Sequence, residues 1–315
     1  MTAEPRLPKI SVVIPARNVA DFLPETLQSL HAQTMRQFEV ILVDDGSSDD
    51  TARIARAKTA EDPRFTLIEG RQQGVSQARN TGLAQSSAPL LLFLDADDLL
   101  VPDALARFCA AMEKTPAPAA IGGVQRIAED GSPLPGNSNI ELARGGAHLE
   151  KLLEKNFVVN GGALVIRRSA IEAAGPYDTE LVYGEDWEFW CRLAELGDFA
   201  LVPGAPVLSY RQRATGANYR SRGSVFATQV PCLEKIAARP ALRARFGRKL
   251  AKLLRSRRID IFWSGVRSEV QFGSRLRAFL IALCGIALYP DSIARPDLAL
   301  RFVRSLGRQR RTRDA

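Results

Sequence analysis

The stretch Ile41-Leu42-Val43-Asp44-Asp45-Gly46-Ser47-Ser48-Asp49-Asp50-Thr51, residues 41–51, decides the architecture. Three aliphatic residues in a row fit a strand buried on both faces, and the chain then leaves the sheet through a polar turn at Gly46 into a helix that starts near Thr51. Working outward, the same alternation repeats. Apolar runs at Ile10–Ile14, Val40–Val43, Phe65–Ile68 and Leu90–Leu94 read as strands. The stretches Phe22–Gln33, Thr51–Lys58 and Val75–Ala84 between them read as amphipathic helices. Such a βαβ succession predicts a mostly parallel central sheet flanked by helices, with ligand sites beyond the C-terminal strand ends.

The acidic residues at those strand ends carry the chemistry. Asp44 and Asp45 close the second strand, where turn formation and a helix N-cap at Ser48 or Asp49 compete with a binding role. The fourth strand ends in Phe93-Leu94-Asp95-Ala96-Asp97-Asp98, three carboxylates in four residues. Their mutual repulsion calls for a counter-charge. A hard divalent ion, Mg2+ or Mn2+, supplies it through one or two carboxylates plus phosphate oxygens and water. The alternative is a solvated acidic loop ahead of a helix near Pro102 and Asp103.

SVVIPARN (11–18), VDDGSSDDT (43–51), GVSQARNTGL (74–83) and FLDADD (93–98) stand in one order and spacing, and together they resemble the catalytic core of the family 2 glycosyltransferases. The resemblance implies an α/β GT-A fold, a nucleotide-diphospho-sugar donor (a UDP-sugar), an Mn2+ or Mg2+ cofactor and an inverting reaction. It places the nucleotide-sugar against Pro15, Ala16, Arg17, Asn18, Asp44, Asp45, Arg79, Asp95 and Ala96. The metal falls to Asp97, Asp95 and Asp98, with Asp97 as the principal contact. Arg79 reads equally well as a surface helix arginine. Arg17 departs from the family, in which many members carry an aromatic residue or histidine at that point.

The second half continues the resemblance. Tyr183-Gly184-Glu185-Asp186-Trp187 is similar to the acceptor side of the family, where the aspartate of the ED pair is the catalytic base. That role falls to Asp186, with Glu185 and Trp187 on the acceptor side, although core packing is the commoner use of a tryptophan at a helical position. The chemistry needs such a carboxylate, because the attacking hydroxyl must lose a proton. Tyr210-Arg211-Gln212-Arg213 stands where many relatives have YRxH, so a histidine contact is missing and Arg211 or Arg213 is left to meet the diphosphate. The QxxRW signature of processive relatives is absent.

The alternatives, a catalytically silent nucleotide-sugar-binding or scaffold subunit and a sugar nucleotidyltransferase, fit the sequence less well. No glycine fingerprint for a dinucleotide follows the first strand, and ARNVADF (16–22) is not the phosphate loop of a nucleotidyltransferase. A catalytically silent binding subunit would lack acidic residues that are all present here. Four scattered cysteines form no CxxC pair, and His31 and His148 have no partnered ligands in the sequence.

The net charge of +8 is uneven: residues from Ala241 onward carry 18 Arg or Lys against 5 Asp or Glu. No nucleic-acid-binding signature accompanies this basic segment, which fits an anionic membrane surface at least as well; a helical cap docked on the catalytic domain with solvated arginines is the equal alternative. The expectation is a catalytic domain at 1–222 and a basic helical extension at 223–315, with the boundary near Arg222. Met1–Lys9 lacks a secretory apolar region, which predicts a cytoplasmic protein, peripheral on the inner face of the membrane. Its expected acceptor is a glycan or lipid-linked hydroxyl in cell-surface polysaccharide synthesis. Loops are expected at Thr115–Ala119 and Gly131–Asn137.

Overall fold

A computed structural model describes residues 7–137, 140–213, 225–272 and 274–290. They group into two compact units, one running to Leu152 and from Asn156 to Arg213, the other holding the helices that follow. The boundary expected near Arg222 lies outside the described residues.

The first unit opens with β1 (Ile10–Ala16), α1 (Leu23–His31), β2 (Phe38–Asp44), α2 (Thr51–Glu61), β3 (Phe65–Glu69), α3 (Val75–Gln85) and β4 (Leu90–Phe93). It continues through β5 (Leu99–Leu100), α4 (Ala104–Glu113), β6 (Ala119–Ile121), β7 (Val124–Ile127), β8 (Pro133–Asn137), α5 (Ile140–Ala143) and α6 (His148–Glu154). Then come β9 (Leu164–Arg167), α7 (Arg168–Ala174), α8 (Glu185–Leu196), β10 (Ala200–Leu201) and β11 (Leu208–Arg211). A seven-stranded sheet takes the order β10-β6-β9-β4-β1-β2-β3. All its pairings are parallel except those of β9, which runs antiparallel to both β4 and β6.

Alternation along the buried strands assigns the helices to the two faces. Val12, Ile14, Val40, Leu42 and Leu92 share a core with Leu23, Leu27 and Leu30 of α1 and with Leu105 and Phe108 of α4. Ile41 and Val43 point the other way and pack on Ala78 of α3. Gly82 lets α3 approach the sheet, since a β-carbon there would stand 2.3 Å from Val13 Cγ1.

A smaller sheet, β5-β11-β7-β8, carries the chain back past the C-terminal end of β4. Its edge corrects one expectation: Pro133–Asn137 is strand β8, paired antiparallel to β7 with a bulge between Gln125 and Ile127. Prolines read as a loop in sequence, yet an edge strand has one side without partners and tolerates a residue that donates no hydrogen bond. The other loop expectation ends one residue too late, because Ala119 already pairs with Ile166 in β6.

The second unit consists of helices Val225–Ala238, Pro240–Phe246, Arg248–Phe272 and Arg275–Leu288. No helix among the described residues is long and apolar enough to cross a membrane.

Candidate active site

The β1 and β2 loops are tied together first. Asn18 adopts a positive φ of 51°, a conformation asparagine tolerates better than most residues. Its Oδ1 accepts the Ser48 N–H at 2.8 Å while its own N–H donates to Ser47 Oγ at 3.0 Å. Asp44, buried at the end of β2, accepts from the Ser47 hydroxyl and N–H. The Asp45 backbone N–H donates to Ala16 O at 2.9 Å, tying the end of β2 to the end of β1. The Asp45 carboxylate takes the N–H groups of Gln73 and Gly74, each at 2.8 Å, where α3 begins. Both aspartates therefore build the loop, and the Asp45 oxygens keep further lone pairs for a ligand. Pro15 is half-buried, Ala16 is buried, and Arg17 is exposed with Nη2 donating to Gln72 Oε1 at 3.2 Å.

The residue that organises the centre is Arg79. It is buried on α3, only 4% of its side chain exposed, which excludes the surface reading. Its Nη1 donates to Glu185 Oε1 at 3.1 Å and Asp186 Oδ1 at 3.0 Å, and its Nη2 to Asp95 Oδ1 at 3.0 Å. One guanidinium thus joins the end of β4 to the start of α8. Below it lies the Tyr177 ring, 5.1 Å from the guanidinium carbon, packed in turn on Phe93 and Phe189. Asp95 is fixed from its other oxygen by Asn160 Nδ2 at 2.9 Å.

Asp186 and Glu185 form the first turn of α8, after Gly184 at φ 81°, where the helix dipole favours negative charge. Burial pushes the Asp186 carboxyl up, Arg79 pulls it back, and the charges of Glu185 and Asp95 push it up again, to about 7. A carboxyl poised there suits a proton acceptor working near neutrality. Trp187, by contrast, is a core residue: it is 3% exposed and its indole N–H donates to Leu152 O at 2.8 Å. This corrects its expected place on the acceptor side.

The remaining carboxylates of FLDADD differ in role. Asp97 accepts from Arg213 Nη1 at 2.8 Å. Burial and then the charge of Asp95 hold its carboxyl above the usual range, against the pull of Arg213. Asp98 is fully buried and accepts the Arg211 backbone N–H at 2.8 Å, its other oxygen having no hydrogen-bond partner among the described residues. Ala96 is buried and its carbonyl accepts from Thr26 Oγ1 at 2.9 Å.

Arg211 is committed to structure. Its Nε donates to Asp97 O at 2.9 Å, its Nη1 to Glu129 O at 2.6 Å, and its Nη2 to Glu25. Of the two candidate guanidinium groups, that of Arg213 is the one that meets a carboxylate of FLDADD, and it lies 4.4 Å from the centre of the Phe22 ring.

No set of three or more His, Cys, Asp or Glu among the described residues encloses a metal position. Asp95 and Asp97, two residues apart at the end of β4, are the donor type that suits an ion of the Mg2+ kind, which completes its shell with substrate phosphates and water. Both histidines are structural: His148 bridges Ala143 O and Phe199 N in the interior, and His31 lies 3.5 Å from Asp62.

The sequence model described as "Glycosyl transferase family 2" matches residues 11–175, more than half of the chain. The chain belongs to glycosyl transferase family 2. Glycosyltransferase AglE of Haloferax volcanii is 33% identical over 207 residues, covering 61% of this chain and 63% of AglE. A PGL/p-HBAD biosynthesis glycosyltransferase of Mycobacterium bovis is 34% identical over 185 residues, 58% of this chain and 68% of that protein. The chain thus spans about two thirds of these relatives.

Among solved structures, S. aureus TarS 1–349 in complex with UDP-GlcNAc aligns with a TM-score of 0.66 at 17% identity, over 90% of this chain and 81% of TarS 1–349. The mannosyltransferase PcManGT of Pyrobaculum calidifontis, solved with GDP-Man and Mn2+, gives 0.58 at 19% identity, over 96% of this chain and 87% of its own. These likenesses establish the GT-A fold of the family 2 chain. Sequence reasoning missed Asn160 and Tyr177, which hold Asp95 and underlie Arg79; the signals available were Asn160-Gly161-Gly162 and Gly175-Pro176-Tyr177-Asp178, turn sequences in the second half of the domain.

Proposed function

We propose that this family 2 glycosyltransferase is inverting and metal-dependent, moving a sugar from a nucleoside diphosphate donor to a hydroxyl of a glycan or lipid-linked acceptor in cell-surface polysaccharide synthesis. One observation carries the reading: Asp95 and Asp186 are held by the same buried guanidinium, each 3.0 Å from Arg79. A donor-side carboxylate and a base are thereby fixed side by side without either being consumed by the fold.

Asp186 accepts the proton of the acceptor hydroxyl as that oxygen bonds to the anomeric carbon and the bond from that carbon to the diphosphate breaks. No side chain acts as a nucleophile in such a single displacement, so the configuration inverts. Asp45 holds the nucleobase beside Asp44, while Arg17 and Pro15 border the nucleotide. A divalent ion bound by Asp95, Asp97 and the donor phosphates would supply positive charge to the departing nucleoside diphosphate. Arg213, whose guanidinium donates to Asp97, would meet a phosphate oxygen of the donor; Asp98 anchors the loop to β11 through the Arg211 N–H. A UDP-sugar is the favoured donor, TarS having been solved with UDP-GlcNAc, although PcManGT was solved with GDP-Man.

The test is a panel of UDP- and GDP-sugars with Mn2+ or Mg2+, scored for nucleoside diphosphate release and, with an acceptor in hand, for product configuration by proton NMR. The expected result is release from at least one donor, abolished by a chelator, and an inverted anomeric centre. Retention of configuration, or full activity in a chelator, would sink the proposed mechanism.

A further inference from the structure

We propose that the outward face of helix Arg275–Leu288 docks on an anionic lipid bilayer, lying within the interface. The helix has two unlike sides. Ala278, Gly285 and Tyr289 recur at helical spacing, and Ala278 is buried. A β-carbon at Gly285 would stand 2.2 Å from Phe262 Cε1, and the Tyr289 ring lies 6.1 Å from that of Phe262. Small residues thus seat this side on helix Arg248–Phe272.

Leu276, Leu280 and Leu283 fall on the opposite side, joined by Phe279 and Leu288. Their exposures run from 47% for Leu283 to 68% for Leu276. Leu276, Leu280 and Leu283 form an exposed apolar strip, with Phe279 on one flank and Leu288 on the other, that water penalises.

Charge selects the occupant. Residues 225–290 contain 13 Arg or Lys against 3 Asp or Glu. Arg277 is exposed on the helix itself, and exposed Arg255 reaches the far end of the same helix, 5.3 Å from the centre of the Tyr289 ring. Apolar residues flanked by cations match the acyl boundary and headgroups of an anionic leaflet. A second copy of the chain would bring the same positive charge to the contact. At 14 residues the helix is about 21 Å long, short of the roughly 30 Å of a hydrocarbon core, so it lies in the surface plane. Lipid docking here stands apart from the chemistry of the nucleotide-sugar site.

Flotation of the full chain with vesicles of phosphatidylcholine alone, and of phosphatidylcholine and phosphatidylglycerol in equal parts, tests this. Wild type should float with the anionic vesicles, less so as salt rises. The double variant Phe279→Glu, Leu283→Glu should partition at least about tenfold more weakly, with an unchanged thermal melt. If that variant misfolds, Phe279→Ala, Leu283→Ala should show the same direction of change. Failure of wild type to float, equal flotation of the folded variants, or a wild-type dimer that the substitutions convert to monomer would each overturn lipid docking.

Discussion

Replacing Asp186 with asparagine should lower kcat by about 10²- to 10⁴-fold, the usual contribution of a positioned general base, while donor affinity stays within a few-fold of wild type. Asparagine keeps the shape of the side chain, and Arg79 retains Glu185 and Asp95 as partners, so the loss reports the missing base. The wild-type pH profile supplies a second readout. The folded carboxyl titrates at about 7, and only its ionised form accepts a proton. The rate should therefore climb as pH rises through about 7 and level off above it. Burial first, and then Arg79, Glu185, Asp95 and Tyr177, set this value. In the Asp186→Asn variant that limb should vanish. Steady-state rates of diphosphate release from pH 5 to 9 check both points, and a variant with near wild-type turnover would remove Asp186 from the mechanism.

The second large effect concerns stability. Arg79→Met should destabilise the protein by about 3 kcal/mol, because three carboxylates would lose the one cation they share. The figure sits at the low end of the range for broken buried pairs, since Asp95 and Asp186 remain 34% and 26% exposed. Protonation relieves the repulsion, so the penalty should be larger at pH 8 than at pH 5.5. Arg79→Lys should recover only part of the loss, because an ammonium lacks the planar fork that reaches both sides. Urea denaturation at the two pH values measures this, and a cost below about 1 kcal/mol at pH 8 would contradict the hub.

The difference between Asp97 and Arg79 shows what the sequence could convey. Asp95, Asp97 and Asp98 are legible because acidic residues directly after a five-residue apolar run must emerge at a strand end. The parallel sheet is legible for the same reason: runs such as ILV and LLLFL are too apolar to face water. A buried arginine has no such mark, since its composition is that of a solvated one. The available clue was its neighbours, Ala78 and Gly82, whose small size signals that this part of α3 presses on the sheet.

Trp187 failed for a related cause. Adjacency to Glu185 and Asp186 suggested a shared role, but successive helical residues point about 100° apart, and the tryptophan turns into the core. Asp98 likewise follows Asp97 in the chain yet serves β11. Residue type and strand position locate the acidic cluster; which member faces a ligand depends on contacts made by segments more than a hundred residues away, as with Arg211 and Arg213.

Calorimetric titration of a productive nucleotide sugar, with Mn2+ present, into wild type, Asp97→Ala and Asp186→Asn tests the division of the site most directly. The account predicts that Asp97→Ala loses metal-dependent donor binding, while Asp186→Asn binds donor as wild type does and yet fails to transfer it. Donor binding by Asp97→Ala with undiminished affinity and metal dependence would contradict it.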